Sequence, residues 1–152
     1  SITDYSFDTW QRILNVNLNP VFLLIQHFAP KMAQSGYGRI LNVSSCLSVK
    51  TRVGRAAYSS SKAGLNGLTR AAAVEYASKN VLINAMSPGF VDTELTHQNN
   101  NPEQVQKIVD SLPIARLAKP AEIAEFAHFL VSGQNSYITG QNILIDGGYL
   151  IV

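Results

Sequence analysis

The chain has 152 residues, of which 46% are hydrophobic and 14% charged, with a formal net charge of +2. That balance excludes a disordered tail and suffices for one domain with a buried core. The twelve lysines and arginines are scattered along the chain, which argues against a nucleic-acid partner. The single cysteine, Cys46, rules out an internal disulfide, and the three isolated histidines form no metal-ligand spacing. That cysteine usage suits the reducing cytoplasm, and the longest apolar run, residues 21 to 25, is far too short for a membrane span, so no membrane partner is expected.

Residues 7 to 34 carry apolar side chains at helical spacing and predict a long helix closing at Gly36. Pro20 interrupts it. Proline has no amide hydrogen to give the carbonyl of Val16 and its ring crowds that carbonyl, so a kink is expected over residues 17 to 19. Backbone groups near Asn17 are then left in need of other partners. RILNVSS, residues 39 to 45, follows a Gly-Tyr-Gly turn and reads as a buried strand, with CLSVKTRVGR as the loop after it.

A second helix is predicted over residues 56 to 78, rich in alanine and leucine. VLINAMS, 81 to 87, reads as a strand stopped by Pro88-Gly89. Residues 90 to 119 are polar and irregular, with a short helix over 102 to 111, and suit a lid. A further helix opens at Pro120, and NILID forms a last strand before Gly147-Gly148. The alternation of helices and strands predicts an α/β fold, a parallel sheet covered by helices. Ligand sites of such sheets lie at the carboxyl ends of the strands, here Ser44-Ser45 and Ser87-Pro88-Gly89.

Within AAYSSSKAG, Tyr58 and Lys62 stand four residues apart on one helix face. Six tyrosines and six lysines in 152 positions give about 0.24 such spacings by chance, so the pair alone also reads as a surface pair. Its setting adds chemistry. A phenol, with an ordinary pKa of about 10, is a reluctant proton carrier near neutrality. A neighbouring ammonium and a helix N-terminus both favour the phenolate. Ser45, ending the preceding strand, adds a hydroxyl, and the three together make a proton-transfer site. Ser44 alternates to the other strand face and reads as structural. Cys46 reads as a packed thiol with nothing to activate it.

Asn17 in NVNL, Ser45 in GRILNVSS, Tyr58 and Lys62 in YSSSK, NAMSPGFVDT and ITGQNILIDGGY together resemble the short-chain dehydrogenase/reductase family, in family order along essentially the whole chain. Within the family the pattern looks most like 3-oxoacyl-carrier-protein reductases and small sugar or polyol dehydrogenases. The resemblance implies an oxidoreductase using NAD or NADP to interconvert a carbonyl and a secondary alcohol. It implies Tyr58 as acid or base on the substrate oxygen and Ser45 as hydrogen-bond partner of that oxygen. It implies Lys62 as the residue that lowers the tyrosine pKa and holds the nicotinamide ribose, and Asn17 as holder of a water in a proton relay. Pro88, Gly89, Val91 and Thr93 match the stretch around the nicotinamide and adjacent phosphate. No metal is implied. Asn17 also reads as a plain amide serving the broken helix turn, and Pro88-Gly89 as a simple strand-ending turn.

Family members also carry a glycine-rich TGxxxGxG turn and an NNAG-like stretch, and this sequence has neither. The expectation is therefore the C-terminal, catalytic and substrate-binding part of a Rossmann-type domain over 1 to 152, lacking roughly the first 90–100 residues of a full doubly wound sheet. The strand at 39 to 45 would present an unpaired edge. Three explanations stay open: a fragment of a complete enzyme, an inactive short chain that acts as an oligomerisation or interaction partner, or a half-domain with another ligand. The expected partners are a small-molecule or carrier-tethered substrate and further copies of the chain, as dimer or tetramer. Lys50, Arg52 and Arg55, between Ser45 and Tyr58, suit an anionic substrate or a solvated loop.

Overall fold

The computed structural model describes residues 1–152. The single long helix expected at the start is two helices, α1 (Phe7–Asn17) and α2 (Asn19–Gln34), meeting at Leu18. Ser6 caps α1 by accepting from the Thr9 amide. The amides of Val21 and Phe22 both bond to the Leu18 carbonyl, so a new helix starts there. Pro20 lies in its first turn, where a missing amide hydrogen goes unmissed. The proline thus starts a helix rather than bending one. A second proline, Pro30, sits inside α2.

Strand β1 (Gly38–Val43) is shorter than expected. Ser44 still donates its amide to the Met86 carbonyl at 2.7 Å, but Ser45 opens a 3-10 turn, Cys46–Ser48, and lies past the strand. Helix α3 (Ala56–Tyr76) runs into a 3-10 turn, Ala77–Lys79, two residues before the end expected for the helix. Asn80 then reverses the chain in the left-handed region, φ 58°, its side chain donating to the Gly36 carbonyl. Strand β2 (Val81–Pro88) follows, and β3 (Asn142–Ile145) is the last.

The sheet is parallel, in the order β1-β2-β3, with Ile40 opposite Ile83 and Met86 opposite Ile143. Central β2 is buried along nearly its whole length. On one face Val81 and Ile83 pack with Ile25 and Ala29 of α2 and Ala72 and Ala73 of α3. Each fully buried valine, leucine or isoleucine there contributes about 1.5–3 kcal/mol. Arg39 and Asn84, on the other face by alternation, bond to Asn135 and Ile138 just beyond α6 (Pro120–Val131), which covers that side.

Gly38 and Ser44 give their amides to the β2 side, so the backbone groups of Arg39, Leu41 and Val43 point outward along the free edge of β1. The expected unpaired edge is present. Residues 90 to 119 hold two helices, α4 (Glu94–Asn99), which was not anticipated, and α5 (Pro102–Asp110). The two ends of this segment meet in a single bridge between Val91 and Ala118, where Asp92 donates to the Ala118 carbonyl and Ala118 to that of Phe90.

Candidate active site

The first turns of α3 set the site. Tyr58 is its third residue, and its phenol makes no hydrogen bond within the chain. Lys62, one turn on, lies with its Nζ 5.8 Å from the centre of the Tyr58 ring. The ammonium donates to the Val43 carbonyl at 2.8 Å, at the carboxyl end of β1. Burial of the amine lowers its pKa from the usual lysine value. Tyr58 and Lys62 therefore share one face, as their spacing required.

Ser61, between them, is fully buried. Its Oγ donates to the Tyr58 carbonyl at 2.7 Å and accepts from Asn17 Nδ2 at 3.2 Å. Asn17, the last residue of α1, is thereby fixed to the turn that bears Tyr58 and Lys62. The only advance signal for Ser61 was a small polar residue on the same turn as the pair.

Ser45 is buried to 8% exposure, and its Oγ accepts from the Leu47 amide at 3.2 Å. Its hydroxyl hydrogen is not committed by that contact. Ser44 donates from its Oγ to the Lys62 backbone carbonyl at 3.2 Å, tying β1 to α3. Cys46 is buried, and that burial raises its pKa, keeping the thiol protonated.

Pro88 closes β2 opposite Ile145, and the four residues 88, 89, 91 and 93 follow one another into the 90 to 119 segment. Gly89 is packed against β3. A Cβ there would stand 2.7 Å from Asp146 Cα, so glycine is required at this position for β2 and the end of β3 to approach. Val91 forms the bridge to Ala118, its carbonyl accepting from Thr96 Oγ1 at 2.7 Å. Thr93 caps α4 by accepting from the Thr96 amide.

The structure brings Asn17 and Lys62 to one cavity of about 540 Å³, walled by Val16, Leu24 and Phe28 on one side and Leu41 and Val43 on the other. This cavity follows the free edge of β1. Ser45, Tyr58 and the 88 to 93 stretch are not among its walls. Lys62 thus meets the carboxyl end of β1, while this mostly apolar hollow runs along the free edge of that strand. No cluster of three or more His, Cys, Asp or Glu side chains offers a metal site, and no helix is long and apolar enough to cross a membrane.

Three parallel strands with helices on both faces, and polar groups gathered past the strand ends, define the C-terminal part of a doubly wound, Rossmann-type sheet. A family model described as enoyl-(acyl carrier protein) reductase matches residues 1–150. The chain is 38% identical over 149 residues to the 3-oxoacyl-[acyl-carrier-protein] reductase FabG of Rickettsia felis, covering 98% of this chain and 60% of that one. It is 40% identical over 139 residues to the acetoacetyl-CoA reductase of Allochromatium vinosum, covering 91% and 56%. Among solved structures, a 4-hydroxyisoleucine dehydrogenase complexed with NADH superposes with a TM-score of 0.93 at 32% identity, over 99% of this chain and 63% of that one. The chain belongs to the short-chain dehydrogenase/reductase family, and within it resembles the 3-oxoacyl-carrier-protein reductases. It spans about 60% of the length of the first of these relatives.

Proposed function

We propose that this chain supplies the proton-transfer and substrate-facing part of an NAD- or NADP-dependent oxidoreductase that interconverts a carbonyl and a secondary alcohol. The observation that carries the reading is Tyr58 and Lys62 on one turn of α3, the phenol free of partners and the ammonium held at the carboxyl end of β1. When bound, the nicotinamide gives or takes the hydride. The residues present fit its nicotinamide-ribose end, because a desolvated amine beside an unpartnered phenol is suited to ribose hydroxyls.

In the reducing direction Tyr58 Oη gives its proton to the substrate oxygen, and in the oxidising direction it takes that proton back. Lys62 stabilises the phenolate while the proton is away. Ser45 donates its uncommitted hydroxyl hydrogen to the same oxygen. Asn17 gives its Nδ2 to Ser61, which leaves its Oδ1 to hold a water of the relay from Lys62 to solvent. Pro88, Gly89, Val91 and Thr93 border the nicotinamide and the adjacent phosphate, and residues 90 to 119 act as the lid over the substrate. The substrate is a small or carrier-tethered carbonyl compound, as the names of the relatives suggest. Copies of the chain associate as a dimer or tetramer in the cytoplasm through apolar surface such as Phe22 and Leu23 of α2 and Val74 of α3.

The test is oxidation of NADPH or NADH by the purified chain with acetoacetyl-coenzyme A, followed by nicotinamide fluorescence. Tyr58→Phe is expected to slow turnover about a hundredfold or more. Unchanged turnover in that variant would sink the assignment. The exposed helix faces also favour a second reading, an inactive chain that binds longer family members. Co-purification with such a subunit, without turnover by the chain itself, would select it.

A further inference from the structure

A cavity of about 320 Å³ opens between the loop after Ser45, helix α5 and the C-terminal residues, with Arg52, Phe90, Gln104, Lys107 and Tyr149 among its walls. No aspartate or glutamate lines it. Both cations are unpaired, since the ion pairs of the chain join Ser1 to Asp4, Asp92 to His97 and Arg116 to Glu122. Lys50, in the same loop, is already engaged. Its Nζ donates to the Val152 carbonyl at 2.8 Å and lies 4.8 Å from the centre of the Tyr149 ring.

Neutral side chains, Asn100 and Ser111 among them, complete the lining. Phe90 and Tyr149 meet edge to face, ring centres 5.2 Å apart, and form an aromatic wall. Gln104 accepts from the Asn101 amide through Oε1 at 2.9 Å, which leaves its amide hydrogens free. Two unpaired cations facing one hollow raise its potential and draw anions to it. A guanidinium also matches the fork of a carboxylate or phosphate.

We propose that this cleft binds an anionic group, carboxylate or phosphate, on the substrate end remote from the reacting carbonyl, with Arg52 and Lys107 as its charge partners. The carbon chain between lies against Phe90 and Tyr149. The proposal rests on the oxidoreductase reading for the identity of the reacting end. Arg52 sits in the loop that leads to Tyr58, and Thr51 Oγ1 lies 2.6 Å from Ser59 Oγ, tying that loop to α3 beside the tyrosine. Lys107 belongs to α5. An anion held by both cations therefore joins the lid segment to the catalytic helix and sets the distance from charge to carbonyl. Of the three basic residues in the loop, Arg52 alone lines the cleft, and its partner Lys107 comes from a segment whose sequence gave no hint of the pairing.

The test is a heteronuclear NMR titration of the whole chain with two probes, 4′-phosphopantetheine and 3-hydroxybutyrate, and with neutral ethyl 3-hydroxybutyrate for comparison. At least one anionic probe is expected to bind and to shift the Arg52 and Lys107 signals, with the neutral ester binding more weakly. Arg52→Gln and Lys107→Gln are each expected to weaken that binding about tenfold. Preference for the first probe identifies a phosphate, and preference for the second a carboxylate. No binding of either anion, or binding unmoved by both substitutions, overturns the proposal. These titrations need no turnover, so loss of the oxidoreductase reading, seen as turnover indifferent to Tyr58→Phe, is read separately.

Discussion

Lys62 reaches from α3 to the free edge of β1 and holds the Val43 carbonyl at 2.8 Å. One outward-facing rung of an otherwise open strand edge is thereby satisfied by the same ammonium that stands beside the Tyr58 ring. A single side chain thus serves the open edge and the proposed proton-transfer pair.

That sharing has a pH signature. Burial lowers the Lys62 pKa, so over the interval between its folded value and the usual 10.5 the unfolded chain binds more protons than the folded one. Stability contributed by this group is therefore gained as pH rises through that interval, and lost as pH falls through the folded value. Urea unfolding from about pH 8 to about pH 11 is expected to show the rise, and Lys62→Met to flatten it. An identical slope in the variant would reject the assignment.

Ser61 links Asn17 to the Tyr58 turn through two hydrogen bonds. Ser61→Ala leaves the half-buried Asn17 amide without that partner and is expected to lower unfolding stability by about 0.5–1.5 kcal/mol. Ser61→Thr, which keeps the hydroxyl but adds a methyl to a fully buried site, separates loss of the bond from loss of space. Denaturant titration of both variants checks this, and a neutral Ser61→Ala would show the link to be inert.

Gly89→Ala places a methyl 2.7 Å from Asp146 Cα and 2.9 Å from its Cβ. Neither atom belongs to a flexible chain end, so β2 and β3 must separate at their carboxyl ends, at a cost of about 1–3 kcal/mol. Hydrogen exchange of the Gly89 amide, which donates to the Ile145 carbonyl at 2.9 Å, is expected to accelerate. Wild-type protection of that amide in the variant would contradict the packing described.

Arg116 grips Glu122 with two hydrogen bonds of 2.7 Å, and the Lys119 amide adds a third, which takes the carboxyl pKa down from 4.5 to about 2. A depressed carboxylate stabilises the fold above its unfolded pKa and loses that contribution as pH falls toward the folded value. Acid titration between 4.5 and about 2 is therefore expected to loosen the start of α6. Glu122→Gln should remove that component of the acid transition in amide-exchange profiles of residues 119 to 123, and persistence of the component would assign it elsewhere.

Much of the sheet was readable because its strands are apolar runs ended by turn residues: 81 to 87 differs from β2 by one residue. The end of β1 was misplaced by two, because Ser45 keeps extended backbone angles while its carbonyl already accepts from the Ser48 amide in the turn that follows. The role of Pro20 was misread for a related reason. Sequence shows that a proline must disturb a helix, but not on which side of the break it falls. Helix α4 escaped notice because ELTHQN has no apolar stripe and is held by the Thr93 cap. Tyr58 and Lys62 were legible as a pair through helical spacing, whereas Ser61 was not, since a buried serine looks like any other in YSSSK. The packing of Gly89 was not legible, because the residue it meets, Asp146, lies far along the chain.

The bridge between Val91 and Ala118 has a practical meaning for engineering. Because both ends of the 92 to 117 segment are stapled side by side at one rung, that stretch is a cassette. A foreign loop with the same end-to-end closure can be grafted there, and loop closure penalises differences in length only slowly, by about 0.6 kcal/mol for each doubling. The three strands and α3 then serve as a fixed chassis on which different loops can be exchanged.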